Sequence, residues 1–209
     1  YPFFKYYLEG KGRKPEPVYV YASGSADWQV MNKWPSESIS YQPLYLSDDA
    51  TLSFTSPASP ESASTYFSNP SDPVPFMADA SKRDKSYMVA DQRFASARPD
   101  VLTFTSQVVE QPLKLQGPLQ DSLDLSISSD DADIIVKFID VHPDGYQMLV
   151  RGDVFPLRYR NGYEHPLRSV PGEIIHLDFT MNDIAHWILP GHRMMIQIQS
   201  TWFPLVNIN

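Results

Sequence analysis

Apolar and polar residues alternate with a period of two over much of the second half of the chain. The alternation is clear in Leu123–Ser128, Glu173–Thr180 and His192–Phe203. This pattern predicts strands that bury one face and expose the other to water. The run Ile134–Val141 is mostly apolar instead, which predicts a central strand that is buried on both faces.

Turn-forming residues separate these runs at short intervals. Pro143-Asp144-Gly145 favours a tight turn, which would join Ile134–Val141 to Tyr146–Arg151 as a hairpin. Further strands are predicted at Pro17–Ala22, Tyr41–Leu46 and Val101–Thr105. Eight or so strands with turns between them predict a mainly β fold, namely a sandwich or jelly roll.

One segment near the N-terminus has the pattern of a helix. Phe3–Glu9 is followed by Gly10 and then by basic residues, which are typical signals of a helix C-terminus. Tyr1 and the residues after it show neither an initiator Met nor the features of a signal peptide. We expect this segment to be the tail of a helix whose beginning is missing, in a piece of a longer protein.

The segment Ser47–Arg98 is rich in Ser, Pro, Asp and Ala. A structureless loop of this length is uncommon inside a compact domain. The segment is therefore expected to be either a functional lid or an extended arm that packs on a neighbour. Proline is abundant at 19 residues and glycine is scarce at 9, which favours rigid connections over flexible linkers.

Composition narrows the classes of function. The 209 residues include 25 acidic and 17 basic side chains, a net charge of −8, and we find no basic cluster of the kind that binds nucleic acid. Without cysteine the chain has no disulfide, no thiolate nucleophile and no Cys-ligated zinc. No apolar stretch approaches the roughly 20 residues that span a bilayer. We predict neither a nucleic-acid partner nor a membrane partner.

Common catalytic motifs are missing. No two glycines are four residues apart, which excludes the G-x-S-x-G elbow of α/β-hydrolases, and their spacing also excludes the phosphate-binding glycine loops. The five histidines form no H-E-x-x-H motif and no i, i+4 pair. A metal site assembled from distant residues is left as an alternative, but the prediction is no catalytic residue, no cofactor and no metal.

Three groups of residues have a functional interpretation beside a structural one. A cluster of acidic residues could bind Ca²⁺, but we favour simple solvation; its members are Asp130, Asp131, Asp133, Asp140 and Asp144. His186-Trp187 and Trp202-Phe203 could form an aromatic platform for sugars, but we favour positions in the core or an interface. Ser25 and Asp27 with a remote His could form a triad, which we disfavour because no elbow or oxyanion donor accompanies them.

Several segments together resemble one family of serine hydrolases. They are similar to the C-terminal region of the family that contains cocaine esterase and X-Pro dipeptidyl-peptidase, and most similar to α-amino acid ester hydrolase and glutaryl aminocephalosporanic acid acylase. The segments are Trp28–Pro35, Asp72–Pro75, Asp91–Phe94, Arg98–Ser106, Val136–Gly145 and Gly191–Pro204. The resemblance extends over nearly the whole chain.

The resemblance implies a jelly roll of the galactose-binding type that is fused behind an α/β-hydrolase domain. In the family the nucleophile lies in a G-x-S-Y-x-G elbow before the matching region, and Ser40-Tyr41 and Ser86-Tyr87 lack those glycines. The chain alone is therefore expected to be inactive. Because relatives continue beyond the position of Asn209, we also expect missing strands and an unpaired sheet edge.

The resemblance also implies a division of the chain. Residues 1–36 would be the tail of the hydrolase domain and a connection, 37–98 an extended arm, and 99–209 the jelly-roll core. Pro75, Phe76 and Met77 are predicted to form part of the wall of the substrate cleft.

Partners and location follow from the same resemblance. The main partner would be the catalytic domain of the parent protein, a homo-oligomer is left open, and the family implies a periplasmic or secreted location. Asp91 and Arg93 would hold the return of the loop. We expect apolar surface near the N-terminus to cause self-association of the chain; its residues are Tyr1, Phe3, Phe4, Tyr6 and Tyr7. The alternative function is a free-standing carbohydrate-binding β-sandwich.

Overall fold

The predicted alternation corresponds to ten strands in a computed structural model, which describes residues 1–57, 63–81 and 84–209. The strands are β1 (Val18–Ala22), β2 (Asp27–Met31), β3 (Tyr45–Leu46), β4 (Thr51–Ser53), β5 (Leu102–Ser106), β6 (Leu113–Leu125), β7 (Asp133–Val141), β8 (Gln147–Pro156), β9 (Ile175–Ile188) and β10 (Arg193–Gln199). The helices are α1 (Pro2–Glu9) and α2 (Arg93–Ser96), with single 3₁₀ turns at Lys85–Val89 and Leu157–Tyr159. The expected mainly β fold is confirmed.

Two sheets form a sandwich. The larger has the strand order β3-β4-β5-β10-β7-β8, and the smaller is the long antiparallel pair β6 and β9. Apolar side chains of both sheets meet in one core, as Phe138 and Met194 do with Leu177 and Ile188. A third, two-stranded sheet is the β1–β2 hairpin.

The central position of β7 follows from its sequence. Ile134, Val136 and Phe138 face the smaller sheet, while Ile135 and Ile139 face the opposite side. There they meet a second apolar cluster, to which the loop residue Phe76 and Trp202 contribute. Both faces of β7 are thus buried, as predicted, and its predicted hairpin with β8 is confirmed.

The strands are longer than the alternation predicts. β9 continues to Ile188 and β8 to Pro156, while β2 and the first half of β6 were not predicted. For β6 and β9 the reason is a register shift between Gly117 and Leu119 in their pairing, which interrupts the strict period of two. Pairing across the two strands therefore extends past the point where the sequence pattern fades.

The segment Ser47–Arg98 is not wholly an arm, and its residues 58–62 and 82–83 lie outside the described part of the chain. It contains β4, which lies between the edge strand β3 and β5 and pairs in parallel with β5. The predicted role of Asp91 is confirmed, because its carboxylate accepts hydrogen bonds from the backbone N–H groups of Arg93 (3.1 Å) and Gln147 (3.3 Å). The loop thereby returns along the start of β8.

The predicted helix near the N-terminus is confirmed as α1, which ends at Gly10 in the left-handed conformation with φ 66°. None of its residues is buried. Among the described residues, no helix has both the length and the apolar character needed to cross a membrane.

Candidate functional site

The hairpin carries exposed aromatic rings on one face. Tyr19 and Tyr21 lie two residues apart on β1, and their register partners on β2 are Val30 and Trp28. The rings of Tyr19 and Trp28 are stacked at 4.5 Å between centroids, and Tyr21 meets Trp28 edge-on at 5.3 Å. All four side chains are exposed, and 53% of the surface of Trp28 is accessible to water. We call Tyr19, Tyr21, Trp28 and Val30 the hairpin aromatic surface.

Helix α1 presents a second exposed apolar surface. Phe3, Phe4, Tyr7 and Leu8 each have more than half of their surface accessible to water. Their rings contact one another rather than the sandwich, with Phe3 and Tyr7 at 4.8 Å. The predicted exposure of Tyr1 and of these aromatic residues is confirmed, while Tyr6 is half-buried.

A row of polar side chains anchors the hairpin to the sandwich. Ser23 follows β1, and its Oγ lies 2.8 Å from Nδ1 of His186 on β9. Nε2 of the same imidazole lies 3.1 Å from Oδ2 of Asp140 on β7. Backbone hydrogen bonds reinforce the contact, since the Ser23 N–H donates to the Ala185 carbonyl and the Trp187 N–H donates to the Ser23 carbonyl. These hydrogen bonds thus link the hairpin to β9 of the smaller sheet and to β7 of the larger sheet.

This row contains a serine, a histidine and an aspartate, as a catalytic triad does, but its surroundings are those of a structural hydrogen-bond network. His186 is fully buried, and Ser23 Oγ also lies 3.2 Å from the Ala185 carbonyl oxygen, where it can donate a hydrogen bond. A nucleophilic serine needs access to a substrate carbonyl and donors for the oxyanion. The sequence could not single out this row, because His186 is 163 residues from Ser23 and 46 from Asp140, and no local motif marks them.

Two further histidines surround Asp140. Nδ1 of His192 lies 2.8 Å from Oδ1, and Nε2 of His142 lies 3.6 Å from Oδ2. Burial alone would raise the pKa of Asp140, but the hydrogen bonds to His186 and His192 outweigh it and hold this pKa below its ordinary value. The carboxylate is therefore a buried anion with imidazole neighbours. Asp140, His142 and His192 are a group that could hold a metal ion.

The predicted acidic cluster is divided by the structure. Asp130 forms an ion pair with Arg168, Asp131 forms one with Arg158, and Asp133 accepts a hydrogen bond from the Asn209 side chain at 3.0 Å. Asp144 caps its own turn by accepting from the Tyr146 N–H. The expectation that the group is simply solvated is wrong for Asp133 and Asp140, because both are buried.

The aromatic platform for sugars, which we disfavoured, is not formed. His186 and Trp202 are buried, Trp187 is half-buried, and only Phe203 is exposed. Trp202 packs in the second apolar cluster, which confirms the core position that we favoured. Asp27 is the first residue of β2, and its backbone pairs with Ala22 of β1. The loop that was expected to hold both Ser25 and Asp27 therefore ends before Asp27.

The predicted cleft residues lie on the outer side of the larger sheet. Pro75 bridges to Phe203, and the Phe76 N–H donates to the Phe203 carbonyl at 2.9 Å. The Phe76 side chain is buried in the second apolar cluster and so anchors the loop to the larger sheet. Pro75 and Met77 are half-buried. None of the three lines the cavity of about 980 Å³ that opens between residues 63–70 and the β6–β7 connection.

Comparison with known proteins gives consistent matches. Residues 7–209 match the family described as the X-Pro dipeptidyl-peptidase C-terminal non-catalytic domain. The chain is 32% identical over 202 residues to cocaine esterase of Rhodococcus sp. (strain MB1 Bresler), across 92% of this chain and 35% of that protein.

Solved structures extend the comparison. An aminopeptidase from the marine sediment archaeon Thaumarchaeota archaeon superposes with a TM-score of 0.90 at 34% identity, covering 100% of this chain and 37% of that one. An α-amino acid ester hydrolase superposes with a TM-score of 0.92 at 33% identity, covering 100% and 38%. The chain thus spans about a third of the length of these relatives.

Proposed function

Because the chain belongs to the family of X-Pro dipeptidyl-peptidase C-terminal non-catalytic domains, we propose that it packs against an α/β-hydrolase catalytic domain of its parent protein. The relatives are named as an esterase, an aminopeptidase and an amino acid ester hydrolase. We infer that the parent cleaves ester or amide bonds through an acyl-enzyme. The role of this chain is to support that domain and to form part of the substrate cleft.

The observation that carries the proposal is the exposed apolar surface of α1 and of the hairpin. An isolated helix of eight residues is unstable in water, and α1 buries none of its residues in this chain. Exposed aromatic clusters of this kind mark protein interfaces, because burying such rings is strongly favourable. A catalytic domain that covers α1 and the hairpin aromatic surface would supply the missing contacts.

The cleft assignment rests on the loop at Pro75 and Met77. Buried Phe76 fixes the loop against the larger sheet, which leaves its two neighbours partly accessible. A half-buried thioether on a rigid loop is well suited to contact an acyl or side-chain group of a substrate, because methionine adapts to irregular apolar shapes. The cleft would then lie between this loop and the catalytic domain.

The test is binding between the two domains. The parent's hydrolase domain, produced separately, is titrated calorimetrically with the wild-type chain and with Trp28→Ser. We expect the substitution to weaken binding by about thirtyfold, since a central aromatic residue contributes roughly 2 kcal/mol to an interface. A serine-directed fluorophosphonate should label the hydrolase domain and leave this chain unlabelled.

The matched control is Tyr163→Ser, because Tyr163 is 80% exposed and contacts another aromatic ring, Tyr159, outside the hairpin. It should bind like the wild type. Equal affinities of the Trp28 and Tyr163 variants would overturn the docking surface, and labelling of the isolated chain would overturn the absence of a catalytic role.

A further inference from the structure

Three metal-binding side chains meet at one end of the larger sheet. Asp140 lies near the end of β7, His142 begins the turn to β8, and His192 directly precedes β10. One ligand atom of each lies within 4.8 Å of the others. The geometry points to a divalent transition-metal site, and the ligand preferences of Zn²⁺ fit two imidazoles and one carboxylate. This departs from the sequence expectation of no metal.

The backbone holds Asp140 within a paired strand and the two histidines directly beside the paired ends of β7 and β10. β7 and β10 are antiparallel neighbours in which Asp140 pairs with Met194 and Val141 with Arg193. The N–H of His142 donates to the Tyr146 carbonyl at 2.8 Å, which closes the turn. Sites built on paired strands and closed turns place their ligands more accurately than sites on open loops.

One distance between ligand atoms is close to that of a tetrahedral site, and a second, to the other oxygen of Asp140, is shorter. Two ligands that each lie roughly 2.1 Å from a tetrahedral ion are about 3.4 Å apart. Asp140 Oδ2 and His142 Nε2 are 3.6 Å apart, and Asp140 Oδ1 and His192 Nδ1 are 2.8 Å apart. A modest rotation of the His192 ring would open the shorter distance, at the cost of one hydrogen bond.

Asp140 is also oriented by hydrogen bonds from residues that are not metal ligands. His186 contacts Oδ2, and Ser23 contacts the far nitrogen of the same imidazole. Carboxylate ligands of metal ions are commonly fixed by such hydrogen bonds, which orient them and increase metal affinity. The Ser23–His186 pair gives the site this supporting layer.

The site is open to solvent on the histidine side. The side chain of His142 is 31% exposed and that of His192 is 13% exposed, while Asp140 is buried. An ion can therefore enter past the two rings, and a water molecule can complete its coordination. Metal binding would link the β7–β8 turn to the β9–β10 turn and would restrain the carboxylate that also anchors the hairpin.

The test is a titration of the full 209-residue chain with Zn²⁺, freed of adventitious metal by a chelator, with a colorimetric zinc indicator as competitor. We expect one ion per chain, and a loss of affinity of tenfold or more in both His142→Ala and His192→Ala. His176→Ala is the matched control, because His176 is an exposed histidine that also contacts a carboxylate, Asp124, at 2.7 Å. The His176→Ala variant should bind Zn²⁺ with the same affinity as the wild type.

A second measurement on the wild-type chain does not depend on the folding of any variant. Zinc should shift the side-chain NMR signals of the His142 and His192 rings and leave those of His165 and His176 unchanged. Failure of the wild type to bind zinc would overturn the site, and so would binding that is lost in the His176 variant but kept in the other two.

Discussion

At the scale of single residues, Lys137 is the least expected feature of the core. It lies in the middle of β7 with no exposed surface, its Nζ lies 3.1 Å from the Gln92 side-chain oxygen, and it stands 5.1 Å from the centre of the Trp202 ring. Burial removes the ammonium group from water and lowers the pKa of Lys137 to about 7. The lysine is thus partly uncharged in the folded protein at neutral pH.

This pKa predicts a dependence of stability on pH. Between pH 7 and pH 10.5 the unfolded chain holds a proton on Lys137 that the folded chain has lost, so stability should rise with pH in that window. The slope from this one group is at most about 1.4 kcal/mol per pH unit. The penalty is complete below pH 7 and absent above pH 10.5. Urea unfolding at pH 7.5, 8.5 and 9.5 would measure the rise.

The comparison that isolates the effect uses two variants. Lys137→Met should lose this slope, whereas Lys114→Met should keep it, because Lys114 is an exposed lysine that also lies near an aromatic ring, Trp187. Parallel stability profiles of the wild type and Lys137→Met would contradict the depressed pKa.

The sequence predicts the setting of Lys137 but not its neighbours. The apolar run around it shows that both faces of the strand are buried. Gln92 and Trp202 reach it from a loop and from the end of β10, and no local pattern connects positions 45 and 65 residues away. The same reason explains why Ser23, His186 and Asp140 could not be grouped from the sequence.

At the scale of elements, the contact between the β1–β2 hairpin and β9 depends on Gly24. This glycine has a φ of 85°, and a Cβ atom there would overlap the carbonyl oxygen of Trp187. Gly24→Ala should therefore detach the hairpin, because backbone strain and a steric clash act together. We expect a local cost of roughly 2–4 kcal/mol.

Hydrogen exchange can locate this effect. Amides of β1 and β2 should lose protection in Gly24→Ala, while those of β7 and β10 stay protected. Gly12→Ala is the matched control, since Gly12 has nearly the same φ of 86° but no atom within 4 Å of the added Cβ. It should lose only the roughly 1–2 kcal/mol of left-handed strain. Equal loss of hairpin protection in both variants would argue against the close contact.

The elements themselves show how far alternation can be used. The alternation predicts the position of β10, but its expected exposed face is buried as well, because Met195 packs with Phe76 and Gln197 contacts Gln92. The first half of β9 does expose one face, as the alternation indicates. The first half of β6 and the second half of β9 were missed, because Gly117 and the register shift beside it break the pattern. The predicted strand Tyr41–Leu46 is reduced to the two residues of β3 at the sheet edge, and its neighbour β4 has only three residues, which is too short for a period to be recognised.

At the scale of the whole molecule, the family was identified from motifs that the structure places on the hairpin strand β2, on β5, β7 and β10 of the larger sheet, and on the loops beside them. Asp140 belongs to one of these motifs and His192 to another, and the structure brings them into contact. These two motifs therefore belong to one network of interactions around Asp140. The position of the hairpin aromatic surface could not be predicted in the same way, because the exposure of a residue depends on which elements the rest of the chain covers.

The last prediction concerns the substrate cleft of the parent enzyme. In the complete enzyme, Met77→Ala should change the ratio of kcat/KM between a bulky and a small acyl group by about tenfold, since a few methylene groups contribute roughly 1–3 kcal/mol in an apolar pocket. Steady-state kinetics on a series of esters would measure this ratio. Leu167→Ala, at an exposed aliphatic residue far along the chain, should leave it unchanged.

Phe76→Ala separates contact with substrate from support of the loop. Because Phe76 is buried in the second apolar cluster, its truncation should cost about 3–5 kcal/mol of stability. Any loss of activity should then fall equally on all acyl groups, because a buried side chain supports the loop rather than presenting a surface to substrate. If Met77→Ala also changed all substrates in parallel, the loop would be a structural element of the sandwich, and the wall of the cleft would have to lie elsewhere.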